Sequence, residues 1–175
     1  MRDLLILRHG ETTWNREGRL QGGLDAPLTA LGRVQAARQG AILRSLGGDR
    51  PVLCSPQGRA RTTAALAGLR LRVESGLREV GMGRWEGRSR AEIAPPAGLL
   101  WKLDAPGGER LAAFVKRLDA FLARCPSRAI LVTHGVVAVA LRARLLGQCP
   151  ETWKGMDDPQ GVVFRILGDD EVLIS

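Results

Sequence analysis

Two uninterrupted apolar runs limit what this chain can fold into more than any other feature: Leu4-Leu5-Ile6-Leu7 near the start and Ile130-Leu131-Val132 near the end. Runs this short, apolar on both alternating sides, read as strands buried on both faces, as in a sheet covered by helices above and below. The rest of the chain supplies the covering layers. Thr29 caps a helix with apolar positions Leu31, Val34, Ala37, Ala41, Ile42 and Leu46, ended by Gly47-Gly48. Pro51–Cys54 reads as a strand, Ser55-Pro56 opens a second helix carrying Ala60, Ala64 and Ala67, and Leu69–Val73 is a short strand. Residues 81–108, rich in Gly and Pro, are irregular apart from a short helix near Arg90–Ile93. Glu109–Arg124 has helical spacing at Leu111, Phe114, Leu118, Phe121 and Leu122. A strand over Arg128–Val132 and a helix over Val136–Leu146 follow. Phe164–Leu167 and Glu171–Ile174 form a closing hairpin around Gly168-Asp169-Asp170. The expected class is α/β, a three-layer sandwich with a mainly parallel central sheet, helices on both faces and an antiparallel edge. One domain over residues 1–175 accounts for the length.

Composition narrows the function. The chain is 45% hydrophobic and 25% charged, an ordinary globular balance. No apolar stretch reaches the roughly 18–20 residues that span a bilayer, and Met1-Arg2-Asp3 leads directly into the first run without a leader pattern. A cytoplasmic location with no membrane partner is the expectation. Cys54, Cys125 and Cys149 are odd in number and far apart, so reduced thiols and no metal site are expected. The formal net charge of +8 comes almost wholly from Arg, whose planar fork grips phosphate through two hydrogen bonds. That charge would also suit a non-catalytic nucleic-acid-binding module. Dispersed arginines, 4% aromatic residues and no Tyr leave little base-stacking surface, however, and no nucleic-acid partner is expected. Whether two copies pair as a homodimer is not legible here.

Both histidines of the chain directly follow the apolar runs, in Arg8-His9-Gly10-Glu11 and Thr133-His134-Gly135. Ligands of open α/β sheets collect at such strand ends. Glycine after the histidine lets backbone approach a bound group, and Arg8 brings fixed positive charge. The two imidazoles are expected to act together on an anion.

These residues resemble the histidine phosphatases, or phosphoglycerate-mutase-like enzymes, and the resemblance covers nearly the whole chain. Leu7-Arg8-His9-Gly10-Glu11-Thr12 is similar to the family's signature at the end of its first strand. Asn15, Gly18-Arg19-Leu20-Gln21-Gly22, Asp25-Ala26-Pro27-Leu28-Thr29 and Gly32 follow in the family's order. Ser55-Pro56-Gln57-Gly58-Arg59-Ala60-Arg61-Thr62-Thr63-Ala64 resembles its second segment, with Arg59 in the phosphate-binding position. Leu77-Arg78-Glu79 and Gly83-Arg84-Trp85-Glu86-Gly87 resemble the segment that carries an acid, and Pro106-Gly107-Gly108-Glu109 and Val132-Thr133-His134-Gly135 complete the set. Six matches in one order are a specific signal.

The resemblance implies a phosphoglycerate mutase-like fold and a set of roles. His9 would attack phosphorus and carry the phosphoryl group, which suits an imidazole substantially neutral near pH 7. Its other ring nitrogen needs a fixed partner, most simply a backbone carbonyl. Arg8, Arg59 and His134 would surround the phosphoryl oxygens, with no cofactor and no metal. Asn15, Gln21, Gly22 and Gly135 would complete substrate binding. Glu79 would protonate the leaving oxygen and then activate water, and a bound phosphate's charge favours its protonated form. Without the resemblance, Glu79 would read as a surface ion pair with Arg78 or Arg84. Glu11 reads as a structural partner of the arginines, and Glu86 as a tie for the loop after Glu79. Arg19 and Arg61 fit either substrate contact or solvated ion pairs, and Trp14 and Trp85 fit either pocket or core.

The stretch between Glu79 and His134 is short and holds apolar Pro95-Pro96-Ala97-Gly98-Leu99-Leu100-Trp101, where mutases carry a longer, more basic insertion. The expected activity is therefore hydrolysis of a small phosphorylated metabolite, such as α-ribazole phosphate or a sugar phosphate. Phosphoglycerate mutase is the alternative. After His134-Gly135, Val136-Val137-Ala138 lacks the polar residue mutases place there and the Arg often found slightly later in phosphatases, which leaves the substrate open.

Overall fold

A computed structural model describes residues 1–175. In chain order its elements are β1 (Asp3–Arg8), α1 (Thr13–Arg16), α2 (Ala30–Leu46), β2 (Val52–Cys54), α3 (Gly58–Leu66) and β3 (Leu71–Val73). Then come α4 (Arg90–Ile93), α5 (Leu111–Arg124), β4 (Arg128–Thr133), α6 (Gly135–Leu145), β5 (Val163–Leu167) and β6 (Asp170–Ile174). The six strands form one sheet in the order β3-β2-β4-β1-β5-β6. Neighbours from β3 to β1 are parallel, and β5 runs against both β1 and β6. The α/β class and the antiparallel edge agree with the sequence.

The two-residue period of a strand divides the apolar runs between two cores. Leu4, Ile6, Leu53, Ala129 and Leu131 face one side, where Phe114, Leu118 and Phe121 of α5, all of α6 from Val136 to Leu141, and Trp153 pack over them. Leu5, Leu7, Val52, Cys54, Ile130 and Val132 face the other side and meet Leu43 of α2 and Ala60 and Ala64 of α3. Truncating Ile6 or Leu131 to Ala would leave a cavity costing about 2–5 kcal/mol. Burial also pushes the Cys54 thiol up to about 12, so it behaves as a small core residue. All three cysteines are free.

Departures from the sequence reading occur where side chains from distant segments take over a helix end. α3 starts at Gly58, because its first amides are held by the Asp25 carboxylate: Gly58 N donates to Oδ2 at 2.6 Å and Arg59 N to Oδ1 at 3.2 Å. Ser55 and Pro56 stay outside it. α5 starts at Leu111, since Glu109 is drawn into an ion pair with Arg117. The hairpin turn shrinks to Gly168-Asp169, with Gly168 at φ +64° and Asp170 already in β6. α1 was not anticipated, and rests on a reciprocal cap in which Asn15 N donates to Thr12 Oγ1 and Thr12 N to Asn15 Oδ1. The helix end after β1 is thus made by residues of the histidine segment itself.

Candidate active site

Parallel pairing of β1 with β4 sets Arg8 opposite Thr133, so the next residue of each strand is a histidine at the same sheet end. His9 N donates to Thr133 O at 2.9 Å, and the two rings lie 5.2 Å apart between centroids, tilted by 58°. His9 Nδ1 is 2.8 Å from its own neighbour's carbonyl, Gly10 O. A carbonyl only accepts, so we assign the proton to Nδ1 and the free lone pair to Nε2. Gly10 N is held in turn by Thr63 Oγ1 at 3.0 Å. A side chain at Gly10 would collide with the carbonyl of Gly32 on α2. His134 Nε2 lies 2.7 Å from Ser55 Oγ. Ser55 Oγ is nearer to His134 Nε2 than to Gln57 Oε1, 3.3 Å away, so we assign its one proton to the imidazole and the His134 proton to Nδ1. Burial, reinforced by Arg59 and then Arg8, pushes His9 well below the ordinary imidazole value. His134 is pushed down by burial, then by Arg59 and by His9. Both rings are neutral at pH 7.

The arginines are held at their tips and free at their necks. Arg59, 3% exposed, donates through Nη1 to Leu24 O at 2.6 Å and Asp25 Oδ1 at 2.8 Å, and through Nη2 to Gly22 O at 3.0 Å. Burial works against its charge, while Glu79 and Asp25 support it. Arg8 donates through Nη1 to both the carbonyl (2.9 Å) and Oδ2 (2.7 Å) of Asp158. That leaves Arg8 Nε, Arg59 Nε and His134 Nδ1 buried without a partner. Unpaired buried donors each carry a desolvation cost of about 1–3 kcal/mol. Three of them near one imidazole require an explanation; an anion in the cleft would satisfy Arg8 Nε and Arg59 Nε, whose residues line it.

A cleft of about 60 Å³ opens here, lined by Arg8, His9, Asn15, Gln21, Gly22, Arg59, Glu79 and Gly135, with only Leu20 and Met82 apolar. Every residue singled out for the site borders it except His134, whose ring lies 5.2 Å from that of His9. A larger crevice of about 450 Å³ between Gly40 and Arg70 contains no histidine. Asn15 Oδ1 accepts from Thr12 N and Gln160 Nε2, which leaves its Nδ2 donor for the cleft. Gly22, at φ +54°, could not carry a side chain without striking the Glu86 carboxylate.

Glu79 is 8% exposed, and its carboxylate accepts from Val80 N at 3.0 Å and Val136 N at 3.4 Å. It pairs with neither Arg78 nor Arg84, and Arg78 reaches Glu109 instead. Glu86 does tie loops together: its Oε1 accepts from Met82 N and Gly23 N. The expected partnership of Glu11 with the arginines is absent, since Glu11 Oε1 accepts from Thr29 Oγ1 at the start of α2. Arg61 is exposed and away from the cleft, whereas Arg19 borders it, stacked over Trp14 at 4.3 Å. Trp85 packs on Trp101 at 5.8 Å in a small core of its own. Neither Trp14 nor Trp85 lines the cleft, whose wall is polar apart from Leu20 and Met82.

Sequence reasoning missed Lys102 on the cleft wall, Asp158 on Arg8, and Gln160, whose Nε2 donates to His9 O at 3.0 Å. The last two lie about 150 positions from their partners in a polar loop without a motif. Ser55, which the sequence offers only as a helix opener, contacts His134 instead. No group of three or more His, Cys, Asp or Glu side chains is arranged to hold a metal ion, and no helix is long and apolar enough to cross a membrane.

The family model of the histidine phosphatase superfamily (branch 1) matches residues 4–171. The chain belongs to that superfamily. It is 40% identical over 150 residues to an acid phosphatase of Mycobacterium tuberculosis, covering 81% of this chain and 74% of that protein. It is 35% identical over 165 residues to a "probable phosphoglycerate mutase" of Salmonella paratyphi C, covering 84% and 76%. Among solved structures, a provisionally assigned α-ribazole-5'-P phosphatase of Escherichia coli superposes with a TM-score of 0.82 at 29% identity, over 98% of this chain and 94% of that one. A mycobacterial glucosyl-3-phosphoglycerate phosphatase in complex with VO3 gives 0.78 at 31% identity, over 94% and 92%. The chain shares the three-layer phosphoglycerate mutase-like architecture with these two solved structures.

Proposed function

We propose that this histidine phosphatase superfamily member hydrolyses small phosphate monoesters through a phosphohistidine. The observation that carries the reading is the set of three unpartnered buried donors, Arg8 Nε, Arg59 Nε and His134 Nδ1, grouped around a neutral His9. His9 Nε2 forms a bond to phosphorus as the ester P–O bond breaks. The leaving alkoxide takes the Glu79 proton, so an alcohol departs. Glu79, now a carboxylate, accepts a proton from water, whose oxygen attacks phosphorus. The N–P bond breaks and inorganic phosphate leaves. The guanidinium and imidazole donors stabilise the charge spread over the phosphoryl oxygens, and they are already in place before reaction. No cofactor enters these steps.

A cleft of about 60 Å³ takes the phosphoryl group and little more, so the rest of the substrate meets its polar rim of Arg19, Gln21 and Lys102. That rim favours a hydroxylated partner such as a sugar phosphate. α-Ribazole phosphate remains in the same class through the named relative. Phosphoglycerate mutase is the second reading, favoured by the Salmonella relative and by Lys102 on the wall. The test is a panel of phosphate monoesters run beside a mutase assay, with rapid-quench detection of phosphohistidine. Hydrolysis and label lost together in His9→Ala support the proposal. Activity retained by His9→Ala removes His9 from the role.

A further inference from the structure

The Pro106-Gly107-Gly108-Glu109 segment takes no part in the steps above, yet it touches the Glu79 arm at several points. Glu109 N donates to Gly81 O at 2.8 Å, and Arg84 N to Pro106 O at 3.0 Å. The contact is close because two residues lack side chains. A Cβ on Gly83 would strike Pro106 O, and one on Gly108 would sit 2.6 Å from Gly81 O.

The Glu109 side chain continues the contact through Arg117 of α5. Arg117 Nε donates to Oε1 at 2.9 Å and Nη2 to Oε2 at 2.7 Å, a two-pronged pair. Its remaining nitrogen, Nη1, donates to Gly76 O at 2.7 Å and to Arg78 O at 3.0 Å. Arg78 Nη2 returns to Glu109 Oε1 at 3.2 Å. Both side chains of the pair are only 10% exposed, and the Arg117 guanidinium also lies over Phe114, 5.1 Å from the ring centre.

Other groups hold the same arm from the far side. Thr133 Oγ1, at the end of β4 next to His134, donates to Leu77 O at 2.7 Å, and Glu79 N donates to Gln57 Oε1 at 2.7 Å. From 76 to 81 the arm is therefore anchored on β4, on the α3 approach and on the Glu109–Arg117 pair. A second ion pair, Glu74–Arg124, touches the arm only at Gly76 N, so Glu109–Arg117 is the ion pair that reaches Arg78 and Gly81 on either side of Glu79.

We infer that the Glu109–Arg117 pair is the positioning device for the Glu79 carboxylate, setting its distance from the leaving oxygen. This rests on Glu79 being the proton donor. A general acid works only within about 2.6–3.2 Å of the atom it protonates, and a misplacement of about 1 Å costs on the order of 10²-fold. The effect must therefore fall on the rate of phosphohistidine formation from esters with poor leaving groups. Formation from esters whose leaving group departs without a proton should be spared, whereas hydrolysis of the phosphohistidine, which also uses Glu79, slows equally for every ester.

The experiment compares glycerol phosphate with p-nitrophenyl phosphate in wild type, Arg117→Met, Glu109→Gln, Glu79→Gln and the Glu79→Gln/Arg117→Met double variant. In single-turnover rapid quench, Arg117→Met and Glu109→Gln are expected to form phosphohistidine from glycerol phosphate roughly tenfold or more slowly, with formation from p-nitrophenyl phosphate largely kept. That retained phosphorylation also reports a folded site. Arg117→Lys, able to reach one carbonyl, should recover part of the loss. In the Glu79→Gln background Arg117→Met should add little. Equal losses on both esters, or losses that multiply in the double variant, overturn the positioning role. If Arg117→Met does not fold, Glu109→Gln is read by the same criteria. If Glu79→Gln itself shows no leaving-group dependence, the proton-donor reading fails instead, whatever Arg117 does.

Discussion

Lowering the pH from 6.5 to 5.5 should destabilise this protein through its two histidines and almost nothing else. His9 and His134 are buried and neutral, with their proton affinities pushed well below the ordinary 6.5 by burial and by Arg59. The unfolded chain protonates both rings as pH falls through 6.5, while the folded chain resists. A depressed folded value means the stability is fully present above the unfolded value and is lost on acidification. For one ring neutral in the native state throughout, linkage gives about 1 kcal/mol lost between pH 6.5 and 5.5, and about 2 kcal/mol for both. That is a large fraction of a typical 5–15 kcal/mol. The window is clean because no other side-chain type ordinarily titrates there. Burial works to raise Asp3 and Glu74, but Arg165 and the Gly76 amide hold them below 3.8 and 4.5, so their own losses come at lower pH. Urea denaturation at pH 7.0, 6.5, 6.0 and 5.5 measures the slope. His134→Asn should roughly halve it. A midpoint unchanged between pH 6.5 and 5.5 would refute the neutral, buried pair, and with it the lone pair assigned to His9.

Four further outcomes follow from the same geometry. Arg59→Met should lower kcat on p-nitrophenyl phosphate by about 10²–10³-fold, the scale for losing a preorganised oxyanion donor; a KM-only effect in steady-state kinetics would argue against that role. Excess chelator should leave the rate unchanged, because Arg8, Arg59 and His134 supply the donors; a rate restored only by added divalent ions would contradict this. Inorganic phosphate should stabilise the fold by partnering those orphaned donors, by about 2.7 kcal/mol at a hundredfold excess over Kd, read as a higher melting temperature, and the gain should vanish in Arg59→Met. Gly135→Ala ought to strengthen α6 by up to about 1 kcal/mol on propensity alone. Its new Cβ would displace the Asp158 carboxylate that holds Arg8, so calorimetry should show stability kept while substrate KM rises.

Much of this architecture follows from local pattern. Leu4–Leu7 and Ile130–Val132 are buried on both faces because both alternating sets of side chains are apolar, and strand ends carry whatever residue comes next. His9 and His134 were therefore legible as site residues, and Thr29 as a helix cap, from a few neighbouring positions. Arg59 and Glu79 were legible only through the family resemblance, since an arginine and a glutamate in isolation look like solvated charges.

What the linear pattern could not reveal is which distant groups occupy each polar atom. Whether Glu11 meets an arginine or Thr29, whether Ser55 starts a helix or steadies His134, and whether Trp85 faces the cleft or Trp101 depend on segments tens of residues apart. Asp158 and Gln160 reach Arg8 and His9 across about 150 positions. Apolar periodicity is a property of neighbours along the chain, so strands and helices are encoded locally. Hydrogen bonds are short and directional, so the orphaned donors that define the anion site exist only once the folded chain has used up every other partner.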